Sequence, residues 1–425
     1  MIDHAVYTLS MLTATALLAY VILWSGLQTF NANPSKRFMR IWPKLALYYA
    51  AYTMPIWALL LVIGRAQNVT PMLAQLSLPI VVIAIVAMGL YFYTVIVQPN
   101  CLRLHHQTVD IGLKAPLTVA VLADLRIGLY SGKPRHIRKL VATINELSAD
   151  AVLITGDWLY YPGADLVGQL MLFKGVNKPI YTVMSVSDLR YQSMNTTKQG
   201  QPLLEDTLAC AFDVLDITYI GQQCRSLPPI STRSATNNPQ SVRSQGSNLA
   251  PHIAMLCGWQ DMPPYYLKGA SLQVDNAQSC KNPVTKPSKI DKSTQNITAN
   301  SDVIVVADKA ELCTKIEEAV LPVIILASRF DSITDLPKAL QPRPLLIAAA
   351  AKSVKPSDNL SHSSLQQRSN SEAGIKSTIV SYTGFDNRRG LYQHASAQVF
   401  VSSGIGTRGS PFRLRRPTID VLTIR

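Results

Sequence analysis

The stretch that decides the fold runs from Leu117 to Asp188. It reads LTVAVLADLRIGLYSGKP over 117–134, AVLITGDWLYYPG over 151–163 and PIYTVMSVSD over 179–188. Leu117 to Ala123 is a continuous apolar run, short enough for a strand buried on both faces. Pro134 opens a helix at a position where its missing N–H costs nothing. Ile137, Leu140, Val141, Ile144 and Leu147 then recur at helical spacing, with Arg135, Arg138 and Lys139 on the opposite face. Ala151 to Thr155 and Pro179 to Met184 predict the next two strands. Strands alternating with helices predict a parallel or mixed sheet, an α/β fold. An aspartate stands just past each of the three strands: Asp124, Asp157 and Asp188.

Outward from this stretch the same alternation continues. Further strands are expected at Ile253 to Cys257, Val303 to Val306, Val323 to Ala327, Leu345 to Ala349 and Gln398 to Val401. Three segments interrupt them: Ser226 to Pro251, Asn276 to Ser301 and Lys352 to Ser377. They are rich in Ser, Asn, Gln and Lys, a composition that buries too little apolar surface to order itself, so they read as flexible loops.

The first hundred residues differ in kind. Three apolar runs, Ala5 to Phe30, Leu45 to Ile63 and Leu76 to Val97, are each about the ~20 residues needed to cross a hydrocarbon core. No basic region precedes the first, so it is not read as a cleaved signal peptide. Trp42, Trp57, Tyr91 and Tyr93 suit membrane interfaces or helix packing. The chain therefore divides into a membrane part, 1–100, and a polar domain, 101–425. Lys36, Arg37, Arg40 and Lys44 lie in the first loop, against Arg65 alone in the second. Three crossings put the first loop and the domain on one side. The positive-inside rule makes that side the cytoplasm, which predicts a multi-pass inner (plasma) membrane protein.

The net charge of +14 across 425 residues suits an anionic surface. With three spans present, a membrane lipid is the simpler partner, and no nucleic acid is expected. The six cysteines form no CxxC pair, so the spacing suggests neither a zinc site nor a disulfide framework. Scattered thiols agree with a reducing compartment.

The order strand–Asp, Gly–Asp, strand–Asp resembles the calcineurin-like metallophosphoesterases. The C-terminal Arg389-Gly390-Leu391-Tyr392, the segment from Gln398 to Thr407, and Pro411-Phe412-Arg413-Leu414 resemble the last strands of that family's membrane-anchored branch. The similarity covers roughly 115–191, 321–350 and 385–425. It implies an α/β sandwich, mixed sheets flanked by helices, with a two-metal centre that activates water and clamps a phosphate. The family motifs carry over incompletely. D-x-H stands here as Asp124-Leu125-Arg126, G-D as Gly156-Asp157, and G-N-H-D as Ser185-Val186-Ser187-Asp188. The later histidine motifs fall on Ala327-Ser328-Arg329-Phe330-Asp331 and Ala349-Ala350-Ala351-Lys352. None of the seven histidines (His4, His105, His106, His136, His252, His362, His394) stands at a motif position.

The family metal positions retained are thus Asp124, Asp157 and Asp188, without the imidazoles and without the catalytic histidine. The expectation is a pseudoenzyme, a binding or scaffold module holding no metal. The alternative is an active phosphoesterase with a reduced aspartate site and a divalent ion such as Mn or Mg. Arg126 reads as an ion-pair partner of Asp124 or Asp157. A second reading joins Arg126, Arg329 and Lys352 into a metal-free pocket for a phosphate-bearing ligand, with backbone N–H groups from Gly128 and the Ser131-Gly132 turn. A lipid headgroup or a protein at the membrane is the expected partner.

Overall fold

The computed structural model describes residues 2–32, 38–66, 78–128, 134–161, 166–188, 208, 211–221, 223–227, 254–259, 303–305, 309–329, 336, 343–349, 389–393, 397–406, 411–413 and 416–425. Three long helices come first: α1 (Ile2–Ala32), α2 (Phe38–Ala66) and α3 (Leu78–Phe92). A π turn (Tyr93–Val97) and a 3₁₀ turn (Gln98–Asn100) extend the third. The stretches apolar and long enough to cross a membrane are Ala5–Phe30, Ile41–Ala66 and Leu78–Asn100. The second starts four residues earlier than its apolar run and α2 itself at Phe38, so Arg40 and Lys44, expected in the first loop, lie inside a helix. α2 packs against both neighbours. Trp42 donates its indole N–H to the Ser25 hydroxyl at 2.9 Å, and Tyr91 donates to the Leu47 carbonyl at 2.5 Å. Leu9, Leu12, Leu23, Ile83 and Leu90 are left exposed, as a lipid-facing surface requires.

Two sheets form the rest. The first has the order β1 (Arg103–Val109), β15 (Thr418–Ile424), β2 (Leu117–Leu122), β4 (Ala151–Ile154), β6 (Ile180–Thr182), β7 (Ile217–Tyr219). The second has the order β10 (Val303–Val305), β8 (Gln223–Leu227), β9 (Ala254–Trp259), β11 (Val323–Ala327), β12 (Leu345–Ala349), β14 (Gln398–Ser402), β13 (Gly390–Gln393). A two-strand piece pairs β3 (Ile127–Gly128) with β5 (Leu159–Tyr160).

The pleat sorts each strand's side chains between layers. Leu117, Val119 and Val121 of β2 meet Ile324 and Leu326 of β11 and Leu345 and Ile347 of β12, so the sheets pack face to face. The other face of β2, Ala120 and Leu122, meets Ile137, Leu140, Val141 and Ile144 of α4 (Pro134–Glu146). On the far side, Val323 and Ile325 of β11 meet Leu312 and Ile316 of a helix over Lys309–Glu317. The domain is therefore a four-layer helix–sheet–sheet–helix arrangement. The continuous apolar runs read from the sequence are its central strands, because they are covered on both faces.

Two expectations need correction. The first low-complexity segment was placed from Ser226, but Ser226 and Leu227 belong to β8; the rest of it lies outside the described residues, as do 276–301 and 352–377. The cysteines are not all thiols. β8 and β9 pair antiparallel with Cys224 opposite Cys257, both fully buried, and the pair is a disulfide with Cα atoms 4.1 Å apart. The spacing hid it because strand register, not sequence separation, brings the two residues together.

Candidate functional site

β2, β4 and β6 are neighbours and run parallel. Their C-terminal ends therefore lie side by side, and the loops leaving them gather Asp124, Asp157 and Asp188 at one edge of the sheet. All three side chains are buried. Asp124, Arg126 and Asp157 have positive φ values of 52°, 49° and 51°. An arginine in that left-handed region is costly, about 1 kcal/mol or more, and such residues persist only where the surroundings dictate the turn.

The surroundings are specific. Arg126 donates its backbone N–H to Asp157 O at 2.9 Å, and Ile127 to Trp158 O at 2.7 Å. The loop after β14 crosses over the same turn. Ile405 N–H reaches Ala123 O at 2.8 Å, and Gly406 N–H reaches Asp124 O at 2.6 Å. A Cβ on Gly404 would stand 2.8 Å from the Asp124 Cβ, so only glycine lets this loop approach. Trp158 pins the Asp157 loop from below: its indole donates to Thr182 Oγ1 at 2.8 Å, and its ring packs on Phe173 and Phe212.

Within this frame the Arg126 guanidinium lies between two carboxylates. Its Nη2 is 2.8 Å from Asp157 Oδ2 and 3.4 Å from Asp124 Oδ1. Burial alone would lower the arginine pKa. The charges of Asp124 and Asp157, the hydrogen bond to Asp157 and the nearby Tyr160 outweigh that and hold it above its ordinary value. Asp157 is also met on its other oxygen by Ser187, whose hydroxyl donates at 2.5 Å.

Asp188 is held differently. Its Oδ1 accepts from Leu159 N–H at 2.9 Å. Its Oδ2 accepts from Ser185 N–H at 2.9 Å and from the Ser185 hydroxyl at 3.0 Å. Burial, with the charge of Asp157 added, pushes its pKa up to about 6 against the opposing pull of those hydrogen bonds.

Arg329 stands two residues past β11 in the second sheet, partly exposed. Lys352, Ser131 and Gly132 lie outside the described residues. The structure thus brings together four of the six expected residues: Asp124, Arg126, Asp157 and Asp188. Sequence reasoning missed the parts played by Ser187, named only as the residue standing at the motif's histidine, and by Tyr160.

The residues present do not suit a two-metal centre. A divalent ion between Asp124 and Asp157 would meet the guanidinium already there, a repulsion of about 8 kcal/mol at ~4 Å for an effective dielectric of 20. Among the described residues no group of three or more His, Cys, Asp and Glu side chains is arranged to hold a metal ion.

The site rests on the membrane helices. Tyr160 and Tyr161, directly after the Asp157 turn, pack against Ile41, Leu45 and Tyr48 of α2 and Val95 of the π turn. Lys44 Nζ donates to the Tyr160 hydroxyl at 3.0 Å. Arg413 accounts for the other side. Its backbone N–H reaches Thr94 O at 3.2 Å, while its guanidinium donates to the Gly404, Ile405 and Gly406 carbonyls. Both loops that shape the aspartate corner are therefore fastened to the helices. Comparison with protein-family models, curated proteins and solved structures finds no match to this chain.

Proposed function

We propose that this chain is a membrane-anchored, metallophosphoesterase-like pseudoenzyme: a binding or scaffold module whose catalytic corner is closed by an internal ion pair. The observation that supports this reading is the Arg126 guanidinium lodged between Asp124 and Asp157. It supplies the countercharge that lets two carboxylates stay buried, the role a metal ion plays in the family. Arg126 is already spoken for, so it offers little to a phosphate. The partner is a phosphate-bearing lipid headgroup or a membrane protein, in keeping with a site seated on α2.

The test uses the full chain in detergent. Elemental analysis is expected to find less than one transition metal per chain, and bis-p-nitrophenyl phosphate hydrolysis with Mn²⁺ is expected to stay at background. The second reading, an active phosphoesterase with a reduced Asp124–Asp157–Asp188 site, draws support from the gathering of three carboxylates. Hydrolysis that vanishes in Asp157→Asn would establish it and sink the first.

Loop charge favours a cytoplasmic domain; the Cys224–Cys257 disulfide favours an oxidising compartment, where such bonds persist. We take the cytoplasmic side. A C-terminal GFP fusion should then fluoresce and an alkaline phosphatase fusion should be inactive. The opposite pattern places the domain outside.

A further inference from the structure

A second buried carboxylate cluster lies apart from the aspartate corner. Asp420 of β15 points between the two sheets and is fully buried. Three elements converge on it. From β14 of the second sheet, the Ser402 hydroxyl donates at 2.6 Å. From the residue entering β13, Arg389 Nε stands 2.9 Å from Asp420 Oδ1. From β1, the first strand after the membrane helices, His105 Nδ1 stands 3.2 Å from the same oxygen. Arg103, on the same strand, adds a further positive field on Arg389. β2, on the other flank of Asp420, contributes apolar Val121.

We propose that Asp420, His105 and Arg389 form a proton-operated latch joining the membrane-tethered strand β1 to the far edge of the second sheet. One buried oxygen holds two basic side chains belonging to different sheets. At neutral pH the Asp420 anion balances the Arg389 cation beside it. Acid removes the anion by protonating Asp420. Arg389 and Arg103 then repel each other with no anion between the sheets to offset them. Arg389 has no remaining reason to stay, and the strand it leads, Gly390–Gln393, is a sheet edge paired, among the described residues, only with β14.

The direction follows from linkage. Burial pushes the Asp420 pKa up to about 6, while Ser402 and the docked Arg389 pull it down. Release of Arg389 therefore raises the aspartate's proton affinity, so protons favour release. The midpoint falls in the range where acidification of a compartment or a medium would be felt. The latch is independent of the pseudoenzyme reading, since it shares no residue with the Asp124–Asp157 corner.

The test is hydrogen exchange by mass spectrometry on the full chain in detergent, with rates corrected for intrinsic pH dependence. Peptides covering β13 and β1 should lose about tenfold in protection between pH 7.5 and 5.5, as one-proton linkage allows. Peptides covering β4 should not change. Asp420→Asn should abolish the pH response. Should Asp420→Asn fail to fold, Arg389→Gln serves instead, with β13 exchanging fast at every pH. Flat protection in the wild type overturns the latch. So does a wild-type pH response retained in Asp420→Asn or in Arg389→Gln.

Discussion

Asp157 and Asp188 end neighbouring strands of one sheet, both buried, yet they keep their place by opposite means. Asp157 meets a guanidinium at 2.8 Å. Asp188 meets backbone N–H groups and a hydroxyl, and its pKa rises to about 6. One carboxylate is held by countercharge; the other is accommodated by its readiness to take a proton. The difference shows two ways of keeping a carboxylate buried at one sheet edge. A single arginine neutralises the turn where two acidic loops meet, and neutral donors suffice for the third.

The comparison predicts that removing the guanidinium does the most damage. Arg126→Ala leaves Asp124 and Asp157 buried without a partner and should destabilise the domain by about 3–5 kcal/mol. Urea unfolding of the full chain in detergent, followed by tryptophan fluorescence, measures it. An unchanged midpoint would mean that Arg126 does not hold the corner. Arg126→His should not confer metal binding, since it would join a single imidazole to Asp124 and Asp157.

Asp188 should reveal itself through pH instead. A carboxyl whose folded pKa is raised contributes stability that is present below its unfolded pKa and lost as pH rises through the folded value. From an unfolded value near 3.9 to about 6, that loss amounts to roughly 3 kcal/mol. Wild-type stability minus that of Asp188→Asn should therefore fall as pH goes from 4 to 7. A difference that stays level would mean that Asp188 is as well solvated as an exposed aspartate.

The smallest effect concerns the seat of the Asp157 loop on α2. Lys44→Met removes one partly buried hydrogen bond to Tyr160 and should cost about 1 kcal/mol. Its sharper readout is faster hydrogen exchange at β5, the strand carrying Tyr160. Exchange there identical to wild type would detach the loop from the membrane helix.

Much of this was legible in the chain. The three apolar spans, the helix opened by Pro134 and the central strands β2, β4, β11 and β12 follow from local pattern, because these elements are uniformly apolar or strictly periodic. The strands β1 and β15 were not. β1 reads RLHHQTV and alternates between water and protein, without an apolar run to announce it. β15 (TIDVLTI) carries Asp420 in its middle, and that polar residue masks a strand buried almost throughout. Arg126 as partner of Asp124 or Asp157 was readable only through the family resemblance, which set it where a metal-binding histidine would stand; that it meets both was not.

Local pattern was enough to read the apolar first hundred residues, the polar remainder, the α/β alternation and the three aspartates past their strands, because each depends on residues close together in the chain. Which groups face those carboxylates is settled by strand pairing. Parallel pairing of β2, β4 and β6 sets Arg126 against Asp157 across 31 residues and leaves Asp188 to neutral donors. Register alone joins Cys224 to Cys257 and His105 to Asp420. Charge is written in the residue, but the energy of a buried charge depends on its neighbours within a few ångströms, and folding chooses those.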